Sequence, residues 1–151
     1  MTTKEKNNIL VDRAFGLLTG KPESEYAGKL IKDGFIDKAY SGQIAAFSVS
    51  VAMVGLKPTL AIYYQQGGSS VNTHNIVGLI AEMLVADNYP FKGESPAERF
   101  FNHVMGMPEG EDDDKLRKEC DKLRKDVIDN AVALKVVVRT FLKSEKDEES
   151  A

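Results

Sequence analysis

Apolar residues recur along this chain mostly at the three- and four-residue spacing of an amphipathic helix. Between Lys4 and Leu18, apolar residues at positions 9, 10, 14, 17 and 18 stand at helical spacing, and Gly20 and Pro22 follow shortly after. This spacing puts them on one helical face, and glycine and proline are residues that commonly end a helix. A second amphipathic segment runs from Ser24 to Phe35. The pattern therefore predicts helical structure from the start of the chain.

The middle of the chain is apolar and almost uncharged. The charged residues between positions 41 and 91 are Lys57, Glu82 and Asp87. With Ser41 as its cap, Gln43–Val54 would form a helix that is apolar on nearly every side, which is typical of a buried helix. Such a helix packs either at the centre of the core or against another subunit. Gly55 fits the position after its last turn, and the next predicted helix is Pro58–Gln66.

Three further helices are predicted in the second half of the chain. Thr73 fits the cap of a helix that continues to Leu84, and Ser95 to Glu98 reads as a capping box with proline at the first helical position. The last and longest helix is predicted from Lys115 to Lys143, about 45 Å at 1.5 Å per residue. We expect an all-α protein, a compact bundle of about six helices with a long C-terminal helix. The predicted single domain covers residues 1–151, with residues 1–5 and 145–151 frayed.

Composition narrows the class of protein. A chain of 151 residues has the ordinary length of one domain. It has one cysteine and therefore no internal disulfide, which agrees with a reducing compartment. The polar N-terminus predicts no secretory signal, and no apolar stretch approaches the roughly 20 residues of a membrane span. We therefore expect a soluble, cytoplasmic protein without a membrane partner. The net charge of −3 argues against indiscriminate nucleic-acid binding.

The residues that usually carry chemistry do not form a recognisable site. His74 and His103 have no histidine or cysteine at metal-ligand spacing, and Cys120 falls on the apolar seam of the last helix, where a buried, inert thiol is expected. The Gly-Gly-Ser-Ser run at 67–70 lacks the ending of a phosphate-binding loop, and the acids at 109–114 lack the spacing of a calcium loop. We predict a protein that is not an enzyme and has no cofactor or metal.

One flank of the last helix is basic. At 100° per residue its cations fall within an arc of roughly 120° beside the apolar seam. They are Arg117, Lys118, Arg124, Lys125, Lys135, Arg139 and Lys143. Phosphate contacts dominate nucleic-acid affinity, so this flank predicts an RNA-binding track through Arg117, Arg124, Lys125, Lys135, Arg139 and Lys143. An ordinary solvated face with pairs such as Asp121–Lys125 explains the same pattern equally well.

The run from Tyr40 to Tyr64 resembles the small helical subunit of type III-B (Cmr-type) CRISPR effector complexes. In that family a short apolar helix, a Gly-Leu turn and a second short apolar helix ending in aromatic residues follow one another. Here the turn is Val54-Gly55-Leu56 and the aromatic ending is Tyr63-Tyr64. The family often has asparagine where this chain has Val54.

Two later segments extend the resemblance. The segment from Ile76 to Leu84 is similar to the family's next helix, and the segment from Val127 to Leu142 is similar to its final helix. In that last segment Arg139 and Phe141 match an arginine–aromatic pair. The family often has tryptophan in its final helix, and this chain has none.

The resemblance implies a non-catalytic subunit of an antiviral ribonucleoprotein complex. Its partners would be other subunits of the complex, further copies of itself, and the guide and target RNA, while cleavage would belong to other subunits. The alternative is a helical adaptor that binds only protein partners, with its basic flank merely solvated. A small hydrolase would need a clustered site, which the sequence does not suggest.

Overall fold

The computed structural model describes residues 2–20, 24–65, 72–107 and 114–144. Helices dominate these ranges, which confirms the predicted all-α class and the long C-terminal helix. The helices are α1 (Thr3–Leu18), α2 (Glu25–Leu30), α3 (Lys38–Val54), α4 (Leu56–Tyr64), α5 (His74–Val85), α6 (Pro96–Met105) and α7 (Asp114–Val138). None of them is both long and apolar enough to cross a bilayer. The predicted loop at 67–70, most of the acidic run at 109–114 and the tail at 145–151 lie outside the described residues.

The helix at the centre of the bundle is α5. Nine of its residues between Asn75 and Leu84 are buried, and it contacts α1, α2, α4, α6 and α7. By contrast, α3 buries only one side, through residues such as Ile44, Phe47 and Val51. Helix α3, which is apolar on nearly every side, is therefore not the central helix of the bundle, and its outer side remains exposed.

A small three-stranded sheet that the sequence pattern did not predict closes one end of the bundle. Its strands are β1 (Ile31–Lys32), β2 (Phe35–Asp37) and β3 (Leu142–Ser144), in the order β1-β2-β3. The hairpin between β1 and β2 turns at Asp33 and Gly34, whose φ angles are +55° and +81°. Two consecutive left-handed residues suit a tight hairpin turn. The predicted helical segment 24–35 was therefore wrong beyond Leu30.

The long C-terminal helix ends five residues earlier than predicted. After Val138 the chain tightens into a turn in which the Thr140 hydroxyl donates to the Val137 carbonyl at 2.7 Å. A threonine side chain that bonds the preceding turn competes with helix continuation. Strand β3 then pairs in parallel with β2, which sets Lys143 opposite Ile36. Lys143 was predicted on the helix and instead belongs to the sheet.

Several predicted caps differ from those observed. Asp37, not Ser41, caps α3, since its carboxylate accepts the Ala39 N–H at 2.8 Å. Ser95 has a left-handed φ of +52° and makes no side-chain cap bond, so the capping box predicted there was wrong. Thr73 does occupy the predicted N-cap position of α5, but its hydroxyl donates to the Tyr63 carbonyl and makes no side-chain cap bond. Gly55 does have the predicted positive φ, at +112°.

A polar network around buried Asn130 joins α1, α7 and the turn that follows α5. The side-chain oxygen of Asn130, which is fully buried, accepts from Arg13 Nη1 at 3.0 Å, and its amide nitrogen donates to Asp87 Oδ2 at 2.9 Å. Arg13 and Asp87 also form an ion pair at 3.1 Å. Because buried polar groups are costly unless paired, these bonds fix how these three elements pack.

Candidate binding surfaces on helices α3, α4 and α7

The predicted basic flank lies on a helix that is packed on one side and open on the other. Helix α7 contacts α1, α3 and α5. Its predicted apolar seam is buried at Leu123, Val127, Ala131, Leu134 and Val138. Because this seam faces the core, the opposite side of α7 faces solvent.

Three of the predicted cations form a line along α7. Arg117 and Arg124 are exposed and Lys135 is half-buried. Their spacings of seven and eleven residues bring them within about 20° of one another around the axis, over roughly 27 Å of helix. Exposed Arg139 follows directly after the helix end. We call these four residues the α7 basic row.

Several of the predicted cations have partners within the protein. Arg117 pairs with Asp114 at 3.3 Å, and Lys125 pairs with Asp129 at 3.2 Å. Exposed pairs of this kind contribute at most about 1 kcal/mol, so a phosphate can replace the carboxylate at low cost. These ion pairs agree both with an RNA-binding face and with an ordinary solvated face.

Two exposed valines interrupt the charged surface. Val132 and Val136 lie on the outer side of α7. They border a shallow groove against α1 that Asn7 and Val11 also line. Helical geometry places both valines within the same arc as the predicted cations, so the spacing along α7 was sufficient to predict that apolar residues interrupt the basic surface.

The outer sides of α3 and α4 form an uncharged surface. No charged residue occurs between positions 39 and 56, and four apolar side chains here are 52–81% exposed. They are Val49, Met53, Val54 and Ile62. A hydrogen bond of 2.7 Å between the Ser50 and Thr59 hydroxyls holds the two helices side by side. We call this surface the α3–α4 face.

A groove lies where the start of α4 meets α7. Its volume is about 310 Å³, and its lining includes Leu56, Val104, Met107 and Cys120. Cys120 is half-buried in this groove, whereas the sequence predicted a buried thiol. Arg124 lines the same groove and donates from Nη2 to the Ala52 carbonyl at 3.2 Å. The groove therefore connects the α3–α4 face with the α7 basic row.

The two histidines pack against aromatic rings. His74 lies 4.7 Å from the ring of Tyr64, and His103 meets Phe91 edge-on at 5.4 Å. Within the described ranges no three His, Cys, Asp or Glu side chains gather closely enough to hold a metal ion.

One acidic side chain stands out by its burial. Burial raises the pKa of Glu82 above its ordinary value, and the hydrogen bond from the Ser24 hydroxyl lowers it only in part. Glu82 and the exposed Glu25 and Glu94 line a common cavity. Tyr26 and Ser95 also line this cavity.

Comparisons of this chain with protein-family models, with curated proteins and with solved structures find no match. What the protein binds has to be inferred from its own surfaces.

Proposed function

We propose that this chain is a non-catalytic subunit of a cytoplasmic RNA-guided ribonucleoprotein complex, similar to the small helical subunit of type III-B CRISPR complexes. In this role it stacks along the backbone of the complex, beside other subunits and further copies of itself. It helps to hold guide and target RNA through phosphate contacts, in antiviral defence. The observation that carries the proposal is the pairing of an uncharged, exposed face with a separate row of cations on one helical body.

The α3–α4 face supports docking against protein. Monomeric soluble proteins rarely expose large contiguous apolar patches, and such patches commonly mark interaction sites. Here Met53 is 81% exposed and Ile62 is 67% exposed, with no charge between them other than Lys57. A neighbouring subunit that covered this face would remove that apolar area from water.

The α7 basic row supports contact with RNA phosphates. Arg117, Arg124, Lys135 and Arg139 follow one line over roughly 33 Å at 1.5 Å per residue, which is long enough to meet several phosphates. The described residues of this row include no aromatic side chain. Contact without base stacking is not expected to read sequence.

A titration of fluorescent single-stranded RNA tests the RNA contact. Fluorescence anisotropy would compare the wild type, a Lys135→Glu and Arg139→Glu double variant, and a control with Lys29→Glu and Lys92→Glu, which are exposed elsewhere. Loss of two phosphate contacts should lower the slope of log K against log salt by about 1.4, since each contact contributes about 0.7 on a single strand. The titration should be repeated on the assembled complex, because a single copy of the protein is expected to bind RNA only weakly. An unchanged slope and affinity there would rule out the α7 basic row.

Protein docking is tested by the same complex without RNA. Val49→Lys and Met53→Lys should prevent the subunit from joining the complex in size-exclusion chromatography, because lysine on this face would be buried without a partner. Asn102→Lys, at an exposed polar position on α6, serves as the control. Normal assembly of the Val49 and Met53 variants would contradict the proposed docking face. Adjacent CRISPR effector genes on the chromosome would support the proposal independently.

The alternative is a helical adaptor that binds only protein. The ion pairs of Arg117 and Lys125 and the exposed valines 132 and 136 favour it, since they make the α7 surface resemble an ordinary solvated face. The two functions differ in their response to salt. Complexes of a protein adaptor held by the α3–α4 face should change little with ionic strength, whereas phosphate contacts give a steep dependence.

A further inference from the structure

The groove between α4 and α7 has a floor that the protein leaves partly uncovered. Val104 is fully buried beneath it, while Leu56, Met107 and Cys120 are only half-buried. A volume of about 310 Å³ is at the lower end of the roughly 300–1,000 Å³ found for ligand pockets. That size suits one or two inserted side chains. Methionine and cysteine make such a floor adaptable to the shape of what enters.

Two cations hold fixed positions on the rim of this groove. The Lys57 ammonium donates to the Met107 carbonyl, and the Arg124 guanidinium donates to the Ala52 carbonyl. Asp121 is the one carboxylate among the described lining residues, so the lining carries two positive charges and one negative charge. A guanidinium has five N–H donors, so Arg124 keeps others for a carboxylate outside the protein.

We propose that this groove binds an acidic protein segment that inserts one large aliphatic side chain and places a carboxylate against Arg124. The inference rests on the proposed role as an assembly subunit and names the chemistry of the segment that docks there. Val54 belongs both to the groove and to the α3–α4 face, so the two surfaces are continuous. A buried apolar anchor with a charged neighbour is the usual composition of an interface hot spot.

The lining favours protein over RNA as the occupant. Its described residues include no aromatic ring on which a base could stack, and stacking supplies much of the affinity for single-stranded nucleic acid. Aliphatic side chains and sulfur atoms instead complement an aliphatic anchor. The positive rim then selects a carboxylate beside that anchor over a lysine or arginine.

A labelled peptide tests the groove on the full-length protein. The probe is a fluorescein-labelled amphipathic helix with leucine on one face and glutamate elsewhere, and its counterpart carries lysine in place of glutamate. The glutamate peptide should bind and should slow the alkylation of Cys120 by N-ethylmaleimide. Leu56→Ala and Arg124→Glu should each weaken binding by about tenfold or more, since they remove the apolar floor and a charge-assisted bond. Lys92→Glu, exposed between α5 and α6 and outside the groove lining, should leave binding unchanged.

The outcomes separate this groove from the RNA contact. Leu56→Ala should weaken peptide binding without altering RNA affinity, and Lys135→Glu with Arg139→Glu should do the reverse. Equal binding of the lysine peptide, no binding up to millimolar concentration, or affinity unaffected by both groove variants would overturn the proposal. Protection of Cys120 by single-stranded RNA but not by the glutamate peptide would also overturn it. Loss of peptide binding in the groove variants tests the groove alone, whereas the RNA affinity of the Lys135→Glu and Arg139→Glu variant tests the α7 basic row.

Discussion

Gly78 lies in the middle of α5 at the point where the ring of Tyr26 crosses that helix. A methyl group at position 78 would come within 2.4 Å of the ring atoms Cε1 and Cζ, whereas carbon atoms in contact are normally about 3.5–4.0 Å apart. The ring is not free to withdraw, because its hydroxyl accepts the Ala97 N–H at 3.4 Å and its face lies beside His74. We predict that Gly78→Ala destabilises the protein although it improves helix propensity.

The magnitude follows from opposing contributions. Alanine in place of glycine in a helix interior stabilises by about 1 kcal/mol. Overpacking of a filled core costs about 1–3 kcal/mol, and loss of the bond between Tyr26 and Ala97 costs about 1 kcal/mol more. The free energy of unfolding of the Gly78→Ala variant should therefore fall by about 2 kcal/mol. A chain of this length should then melt roughly 4–8 °C lower.

Urea unfolding followed by circular dichroism measures this change. The matched control is Gly42→Ala on the exposed side of α3, where a Cβ meets nothing within 4 Å and a gain of up to about 1 kcal/mol is expected. In a Tyr26→Ala background the ring is absent, so Gly78→Ala should reverse sign and stabilise. An equal loss in both backgrounds, or a gain in the wild type, would refute the contact between Gly78 and Tyr26.

Three further predictions concern polar groups inside the bundle. Burial raises the pKa of Glu82 above its ordinary value, so its charge opposes folding at neutral pH. Glu82→Gln should therefore raise the urea midpoint at about pH 7 and not at about pH 4, where glutamate is protonated. An equal effect at both pH values would contradict this. Asn130→Ala should lower the free energy of unfolding by about 2 kcal/mol, since it removes the hydrogen bonds of the buried amide to Arg13 and Asp87, each worth about 1 kcal/mol; an unchanged urea midpoint would argue against the network. Burial acts to raise the pKa of Asp126, but hydrogen bonds from Lys122 and Tyr89 hold it below its ordinary value. Tyr89→Phe should therefore cost about 1 kcal/mol in urea unfolding at about pH 7 and progressively less as the pH falls below the ordinary aspartate value of 3.8, where the unfolded chain takes up a proton before folded Asp126 does; a cost that did not depend on pH would count against this linkage.

Local sequence predicted the helices best where periodicity and local residue types agreed. Helices α1 and α5 lie within one or two residues of their predicted bounds and α6 begins at the predicted proline, because each has a clear apolar face and a proline, glycine or polar boundary. The end of α7 was wrong because Phe141 continues the apolar spacing. What ends the helix is a turn at Thr140 and the pairing of β3 with β2, a contact over a hundred residues along the chain. Periodicity within one segment carries no information about such a partner.

The sequence likewise predicted one of the candidate surfaces and not the other. Helical geometry was sufficient to align Arg117, Arg124 and Lys135, because positions on one helix are fixed relative to one another. It was not sufficient to say which side of α3 faces the core. An apolar pattern on every side gives no preferred direction, so only packing against α4 and α7 determines that Phe47 is buried and Met53 exposed.

The position of Arg124 links the two proposed interactions. It belongs to the α7 basic row, and it also lines the groove that adjoins the α3–α4 face. Its bond to the Ala52 carbonyl holds it at this junction. An RNA phosphate and the carboxylate of a docked segment would compete for the guanidinium if they approached from the same side, and would share it if they approached from different sides. Since Lys135 and Arg139 lie at least 16 Å further along α7 by helical rise, they would hold RNA in either case. Any effect of docking on RNA affinity should therefore act through Arg124 and should vanish in an Arg124→Ala variant.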